Sequence, residues 1–286
     1  MVSRPSQRTS FRRTFSRITL LMSRPIIALT AGDVAGIGPE ILIRALGSDA
    51  VRAACLPLVI CHPEILLRAA TTVGGAENAP EIDLLTDLPS SADDLQRRLH
   101  NFAASPKCRI VCLNPAGDAA ATVQPRVISA AAGDAAFRYL TAAIDLAKAS
   151  IVDAIATAPL NKSALHEAGH HYPGHTEILA AQCGAAEFGM MLYLPESRLA
   201  PLRQLIAMPP APLSGNVPAS PAGKANNESE SAVQPATSSG FPRHRPTGLP
   251  VIHVTLHTSV KSVPGLLTKE GIVEKIRLMD EFLDRM

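Results

Sequence analysis

Three histidines fall within six residues in Gly169-His170-His171-Tyr172-Pro173-Gly174-His175-Thr176-Glu177. Imidazole can ligate a metal or hydrogen-bond a substrate, but a Gly and a Pro lie in this stretch and no helical spacing puts the rings on one face. Thr176 has the chemistry of a helix cap, with Glu177 favourable in the first turn. His175 therefore reads equally as a substrate contact or as support for that cap, and His170 and His171 read as surface residues. A second candidate, Gly32-Asp33-Val34-Ala35-Gly36-Ile37-Gly38-Pro39-Glu40, sets glycines and an acid where a backbone can turn tightly and approach a ligand. Its spacing is not that of the dinucleotide fingerprint, and its plain reading is a tight turn with Asp33 as a local cap. A third, Thr157-Ala158-Pro159-Leu160-Asn161-Lys162, offers an amide and an ammonium; its plain reading is a helix start with Lys162 in solvent. His257 closes an alternating run from Pro250 to Leu256, with His253 on the same face by the two-residue period. One imidazole does not hold a metal, because catalytic sites use about three protein ligands.

These groups need a scaffold, and the apolar pattern supplies one. Ile26 to Thr30 reads as a strand, Ile37 to Leu46 as a helix, Leu56 to Cys61 as a strand and Pro63 to Ala70 as a helix. Strands at Ile110 to Leu113 and Ala154 to Thr157 flank an alanine-rich helix from about Ala130 to Lys148. Alternation of this kind predicts an α/β fold with a parallel-rich sheet flanked by helices, since parallel strands need crossover connections. The second and third candidates then stand at the carboxyl ends of strands, where open α/β sheets bind ligands.

The 286 residues are 47% hydrophobic and carry a formal net charge of +2, which allows a large core and gives no footprint for nucleic acid or an acidic membrane. No apolar run reaches the roughly 18 residues of a spanning helix. Five cysteines without C-x-x-C spacing read as free thiols in a reducing cytosol. Residues 1–22 form a basic leader of arginines among serines and threonines, either a transit peptide or an over-called start ahead of Met22. Residues 200–249 are rich in Pro, Ser, Ala, Asn and Gly and read as a disordered insert. The expected organisation is thus a first α/β domain over 23–150 and a second α/β region over 151–286 that the insert interrupts. A helix over Lys269 to Arg285 closes the chain.

Taken together and in this order, the three motifs resemble the 4-hydroxythreonine-4-phosphate dehydrogenases of pyridoxal phosphate biosynthesis. The family's G-D-P-A-G-I-G-P-E is similar to Gly32 to Glu40, with Val34 in place of proline; its T-A-P-[IL]-N-K is Thr157 to Lys162; its A-G-x-x-x-x-G-H-T-E is Ala168 to Glu177. The resemblance implies an isocitrate/isopropylmalate dehydrogenase-like fold. It also implies oxidation of the secondary alcohol of 4-phosphooxy-L-threonine by NAD or NADP, with decarboxylation to 3-amino-2-oxopropyl phosphate, in a cytoplasmic homodimer that uses a divalent metal (zinc, magnesium or cobalt). By the same resemblance His175 and Thr176 contact the substrate, His257 is a metal ligand, and Asp33 and Lys162 line the cleft; His170 and His171 fall on variable positions.

The family's further metal histidines, in stretches resembling L-N-P-H-A-G and Y-H-D-Q-G, have no counterpart here. Leu113-Asn114-Pro115-Ala116-Gly117 lacks the histidine and lies too early. The expectation is a fold incomplete at its C-terminus, with little activity of its own and an unpaired sheet edge. Two rivals stand beside this reading. One is a related dehydrogenase acting on a threonate or erythronate phosphate or a cyclic diol. The other is a non-catalytic remnant or interaction protein working through the insert with Arg243, His244 and Arg245.

Overall fold

The computed structural model describes residues 24–75, 79–103, 109–199 and 248–285. The basic leader, Cys108 and all but the last two residues of the proposed insert lie outside the described residues. The chain divides into two units, Met1–Ala185 and Ala186–Met286.

The first unit is built on a five-stranded sheet in the order β3-β4-β2-β1-β5, with every neighbouring pair parallel. Its strands are β1 (Ile26–Thr30), β2 (Leu56–Ile60), β3 (Glu81–Leu85), β4 (Arg109–Leu113) and β5 (Ala154–Thr157). Parallel strands covered on both faces read as apolar runs. β1, β2 and β4 follow that rule, and Ala28, Leu58, Val59, Ile60 and Cys112 are completely buried. The helices are α1 (Gly38–Leu46), α2 (Asp49–Ala54), α3 (Pro63–Gly74), α4 (Ala92–Ala103), α5 (Ala130–Lys148), α6 (Lys162–Glu167) and α7 (His175–Cys183). α5 packs on β1, β2 and β5 and also against α6 and α7, while α1 packs on α3.

β3 has no counterpart in the sequence reading, because Glu-Ile-Asp-Leu-Leu carries two acids. As an edge strand it tolerates them. Glu81 pairs with Arg109 at 2.9 Å, and Asp83 accepts from Arg98 of α4 at 2.6 and 2.8 Å. The division between units also falls later than the break expected after residue 150. β5 is hydrogen-bonded to β1 over Ile27↔Ala154 to Thr30↔Thr157, and α6 and α7 return onto α5, so residues 151–185 belong with the first sheet.

In the second unit β6 (Met191–Pro195) pairs antiparallel with β7 (Gly248–Ile252), and α8 (Lys269–Arg285) packs on β7. β7 begins inside the expected insert and stops short of its expected end. The ladder closes at Met191↔Ile252, followed by a single bond from His253 N–H to the Met190 carbonyl at 3.0 Å. Residues 253–259 are irregular. His257 is therefore on a loop, exposed and left-handed at φ 51°, and the face it was expected to share with His253 does not form. Among the described residues no helix is long and apolar enough to cross a membrane.

Candidate functional site

The sheet brings two of the three motifs together. β1 leads to β2 on one side, while its other neighbour β5 arrives from β4, so the strand order reverses at β1, the position where α/β sheets open a ligand crevice. Bonds continue past the strand ends: Ala158 N–H donates to the Thr30 carbonyl at 3.0 Å and Asp33 N–H to the Pro159 carbonyl at 2.9 Å. Gly32 is left-handed at φ +63°, and a Cβ there would lie 2.2 Å from the Pro159 oxygen; one at Gly38 would lie 2.0 Å from the Ala31 oxygen. Both positions need glycine because backbone occupies the place of a side chain. The Asp33 carboxylate accepts from Ala35 N–H at 2.9 Å, the local cap that the sequence suggested.

Around this turn lies a cleft of about 440 Å³ whose polar lining includes Asp33, Glu40, Arg68, Arg126 and Asn161. Besides Asp33, two of these are committed to structure. Arg68 donates to the carbonyls of Val123 (3.0 Å) and Val34 (3.2 Å), and Asn161 caps α6 by accepting from Ala164 N–H at 3.2 Å. Glu40 Oε2 is buried with no protein hydrogen-bond partner. Arg126 is held in a left-handed conformation (φ 66°) by its N–H bond to the Ala35 carbonyl at 2.8 Å. Lys162, the first residue of α6, is exposed. Glu40 and Arg126 are additions to the sequence reading. Glu40 sat in the motif as a first-turn acid; nothing local marked Arg126.

The third motif opens α7. The helix begins at His175, its N-cap is Gly174, and no side chain caps it, so neither His175 nor Thr176 has the capping role considered from sequence. Both are half-buried, and burial lowers the pKa of His175 below the ordinary histidine value. Neither lines the 440 Å³ cleft.

His170 departs from the surface reading, whereas His171 is exposed as expected. The His170 ring stacks on Phe137 of α5 with centroids 3.8 Å apart and planes 12° from parallel. Its Nε2–H donates to Asp134 Oδ1 at 3.1 Å, and Arg138 Nε donates to Asp134 Oδ2 at 2.6 Å. Burial raises the Asp134 pKa, but the bonds from His170 and Arg138 outweigh it and hold the carboxyl below its usual range. These side chains border a groove of about 620 Å³ beyond the ends of β3 and β4. The signal available in sequence was the i, i+3, i+4 spacing of Asp134, Phe137 and Arg138, which gives them one helix face.

A metal would need several donors at one place. Among the described residues no group of three His, Cys, Asp or Glu could hold a metal ion, and His257 belongs to the second unit's exposed loop.

The family model described as "Pyridoxal phosphate biosynthetic protein PdxA" matches residues 53–212, more than half of the chain. The D-threonate 4-phosphate dehydrogenase of Cupriavidus necator is 40% identical over 175 residues, covering 61% of this chain and 48% of that protein. The 4-hydroxythreonine-4-phosphate dehydrogenase of Trichlorobacter lovleyi is 41% identical over 170 residues, covering 59% and 46%. The crystal structure of a 4-hydroxythreonine-4-phosphate dehydrogenase from Burkholderia phymatum aligns with a TM-score of 0.51 at 40% identity, covering 60% of this chain and 47% of that one. One from Klebsiella pneumoniae aligns with a TM-score of 0.56 at 29% identity, covering 92% and 59%. The chain spans about half the length of the curated relatives it matches.

Proposed function

The chain belongs to the pyridoxal phosphate biosynthetic protein PdxA family, and from that premise we propose that it serves the NAD(P)-dependent oxidation of a phosphorylated hydroxy acid, with 4-phosphooxy-L-threonine as the substrate. The observation that carries this reading is the seating of Gly32 on Pro159, which joins two family motifs at the reversal point of the sheet. The relative named for D-threonate 4-phosphate supports that compound as the second candidate. Decarboxylation of the oxidised product and action as a homodimer are part of the proposal by family resemblance.

His175 and Thr176 orient the substrate. Burial keeps the His175 ring neutral near pH 7, with one donor and one acceptor nitrogen, and the Thr176 hydroxyl can both donate and accept. Lys162 supplies positive charge at the end of β5, and Asp33 shapes the turn beside it. Glu40 Oε2, a buried acceptor without a protein donor, is suited to a ligand hydroxyl such as that of a ribose, so the cleft fits a nicotinamide nucleotide held by Glu40 and Arg126. Glu40 and Arg126 would hold that cofactor, which would supply a hydride acceptor for oxidation of the carbinol. The divalent metal implied by resemblance does not fit the described residues, which hold no group of three His, Cys, Asp or Glu side chains able to ligate it.

The test is calorimetric binding of both compounds to the purified 286-residue chain, followed by a turnover assay for reduced nicotinamide with NAD or NADP and added zinc, magnesium or cobalt. Binding of one compound, lost on combining His175→Ala with Thr176→Ala, is the expected result. Equal binding by the double variant, or none by the unaltered chain, overturns the reading.

A further inference from the structure

α7 starts without a side-chain cap, so its first residues take their position from what precedes them. The preceding loop is anchored in steps. A Cβ at Gly133 of α5 would lie 2.0 Å from the Ala164 carbonyl, so α6 rests directly on the α5 backbone. At the end of α6, Gly169 turns the chain at φ +84°, and His170 N–H donates to the Leu165 carbonyl at 3.0 Å. His170 is thereby returned over α5, where it meets Phe137 and Asp134. Tyr172 follows with its ring 6.0 Å from that of Phe137, its N–H on the His170 carbonyl at 3.1 Å, and its own carbonyl 3.2 Å from His166 Nε2. Downstream, α7 is fixed by Ile178, which is completely buried with Leu140, Ile144 and Leu165. His175 and Thr176 therefore span the interval between one anchor at His170 and another at Ile178.

We propose that His170 is a positioning residue: by donating to Asp134 and stacking on Phe137 it sets the path of residues 171–174 and so the placement of His175 and Thr176. The bond is charge-assisted, because the Asp134 carboxylate is ionised at neutral pH and is held from its other side by Arg138. A stacked ring resists the rotations that the hydrogen bond alone leaves open. The loop thus enters α7 along one route rather than many, and a ligand meeting His175 and Thr176 does not have to order it. The consequence for ligand binding rests on the role given to His175 and Thr176 above; the anchoring of the loop does not.

Amide hydrogen exchange of the full 286-residue chain separates the two. In His170→Ala, exchange at the Tyr172 amide, which donates to the His170 carbonyl, is expected to quicken about tenfold, the scale of one lost charge-assisted hydrogen bond, with α5 and Ile178 to Cys183 unchanged. Asp134→Ala does the same, the two together do little more than either, and His170→Gln, which keeps a donor, recovers most of the protection. Calorimetry with 4-phosphooxy-L-threonine and D-threonate 4-phosphate should show affinity falling about tenfold in His170→Ala and recovering in His170→Gln. Unchanged exchange, or quickened exchange with undiminished affinity, overturns the positioning role. Should His170→Ala fail to fold, the Asp134→Ala and His170→Gln pair decides by the same readouts. Quickened exchange in a chain that binds neither compound supports the anchoring and overturns the substrate reading instead.

Discussion

The Pro159 carbonyl accepts the Asp33 N–H at 2.9 Å and stands 2.2 Å from where a Cβ on Gly32 would be, so the turn after β1 and the turn after β5 are held in direct backbone contact. Gly32→Ala forces that contact apart and places a side chain in a left-handed conformation. It should cost about 2–4 kcal/mol, combining overpacking with the left-handed penalty. Gly36 is the control: the three atoms nearest a Cβ there all belong to Asp33, the closest being Oδ2 at 3.3 Å. Gly36→Ala should cost under about 1 kcal/mol. Urea denaturation of both variants checks the contrast, and equal losses would show that the contact between the turns is not tight.

Tyr139 is completely buried in α5, and its hydroxyl accepts the His62 N–H at 3.0 Å just past the end of β2. Tyr139→Phe keeps the ring and leaves that buried N–H without its acceptor. The expected loss is about 1–3 kcal/mol, read as a lower denaturation midpoint with an unchanged slope. A neutral result would mean that solvent reaches the end of β2.

Gly133 serves α6 as Gly32 serves the turns. Gly133→Ala would drive a methyl into the Ala164 carbonyl from 2.0 Å, and α6 must lift from α5. The expected cost is about 1–3 kcal/mol, and differential exchange should locate it in α6 and the loop after it. Faster exchange confined to the far end of α5 would place the strain elsewhere.

The buried strands and the long helix were legible in sequence because their apolar residues have only one consistent arrangement: β1 and α5 run over Ile26–Thr30 and Ala130–Lys148, as the pattern indicated. β3 was not, since its acids are neutralised by Arg98 and Arg109, which are remote in sequence. The expected strand through Leu256 failed for a related reason. Its alternation is genuine, but a strand extends only as far as its partner, and β6 begins at Met191. In the candidate site, local chemistry read correctly at Asp33, whose bond spans two residues, and the helix start after β5 was read as such, with Asn161 found to cap it. It failed at His170, whose partners lie in α5, 33 and 36 residues away in a helix that only the fold brings near.

His175 gives the site a pH signature. Burial lowers its pKa in the folded chain, so the unfolded chain binds the proton more readily. Well above the ordinary histidine value of 6.5 the ring is neutral in both states and contributes no pH dependence. As the pH falls through 6.5 the unfolded state gains protons first and stability declines, and the decline ends below the folded pKa. His175→Gln removes this contribution. Between about pH 7.5 and about pH 5.5 the unaltered chain should therefore lose more stability than the variant. Urea midpoints at a series of pH values make the comparison. Parallel profiles would mean that the ring is as accessible to protons folded as unfolded, and the neutral imidazole assigned to substrate orientation would lose its physical basis.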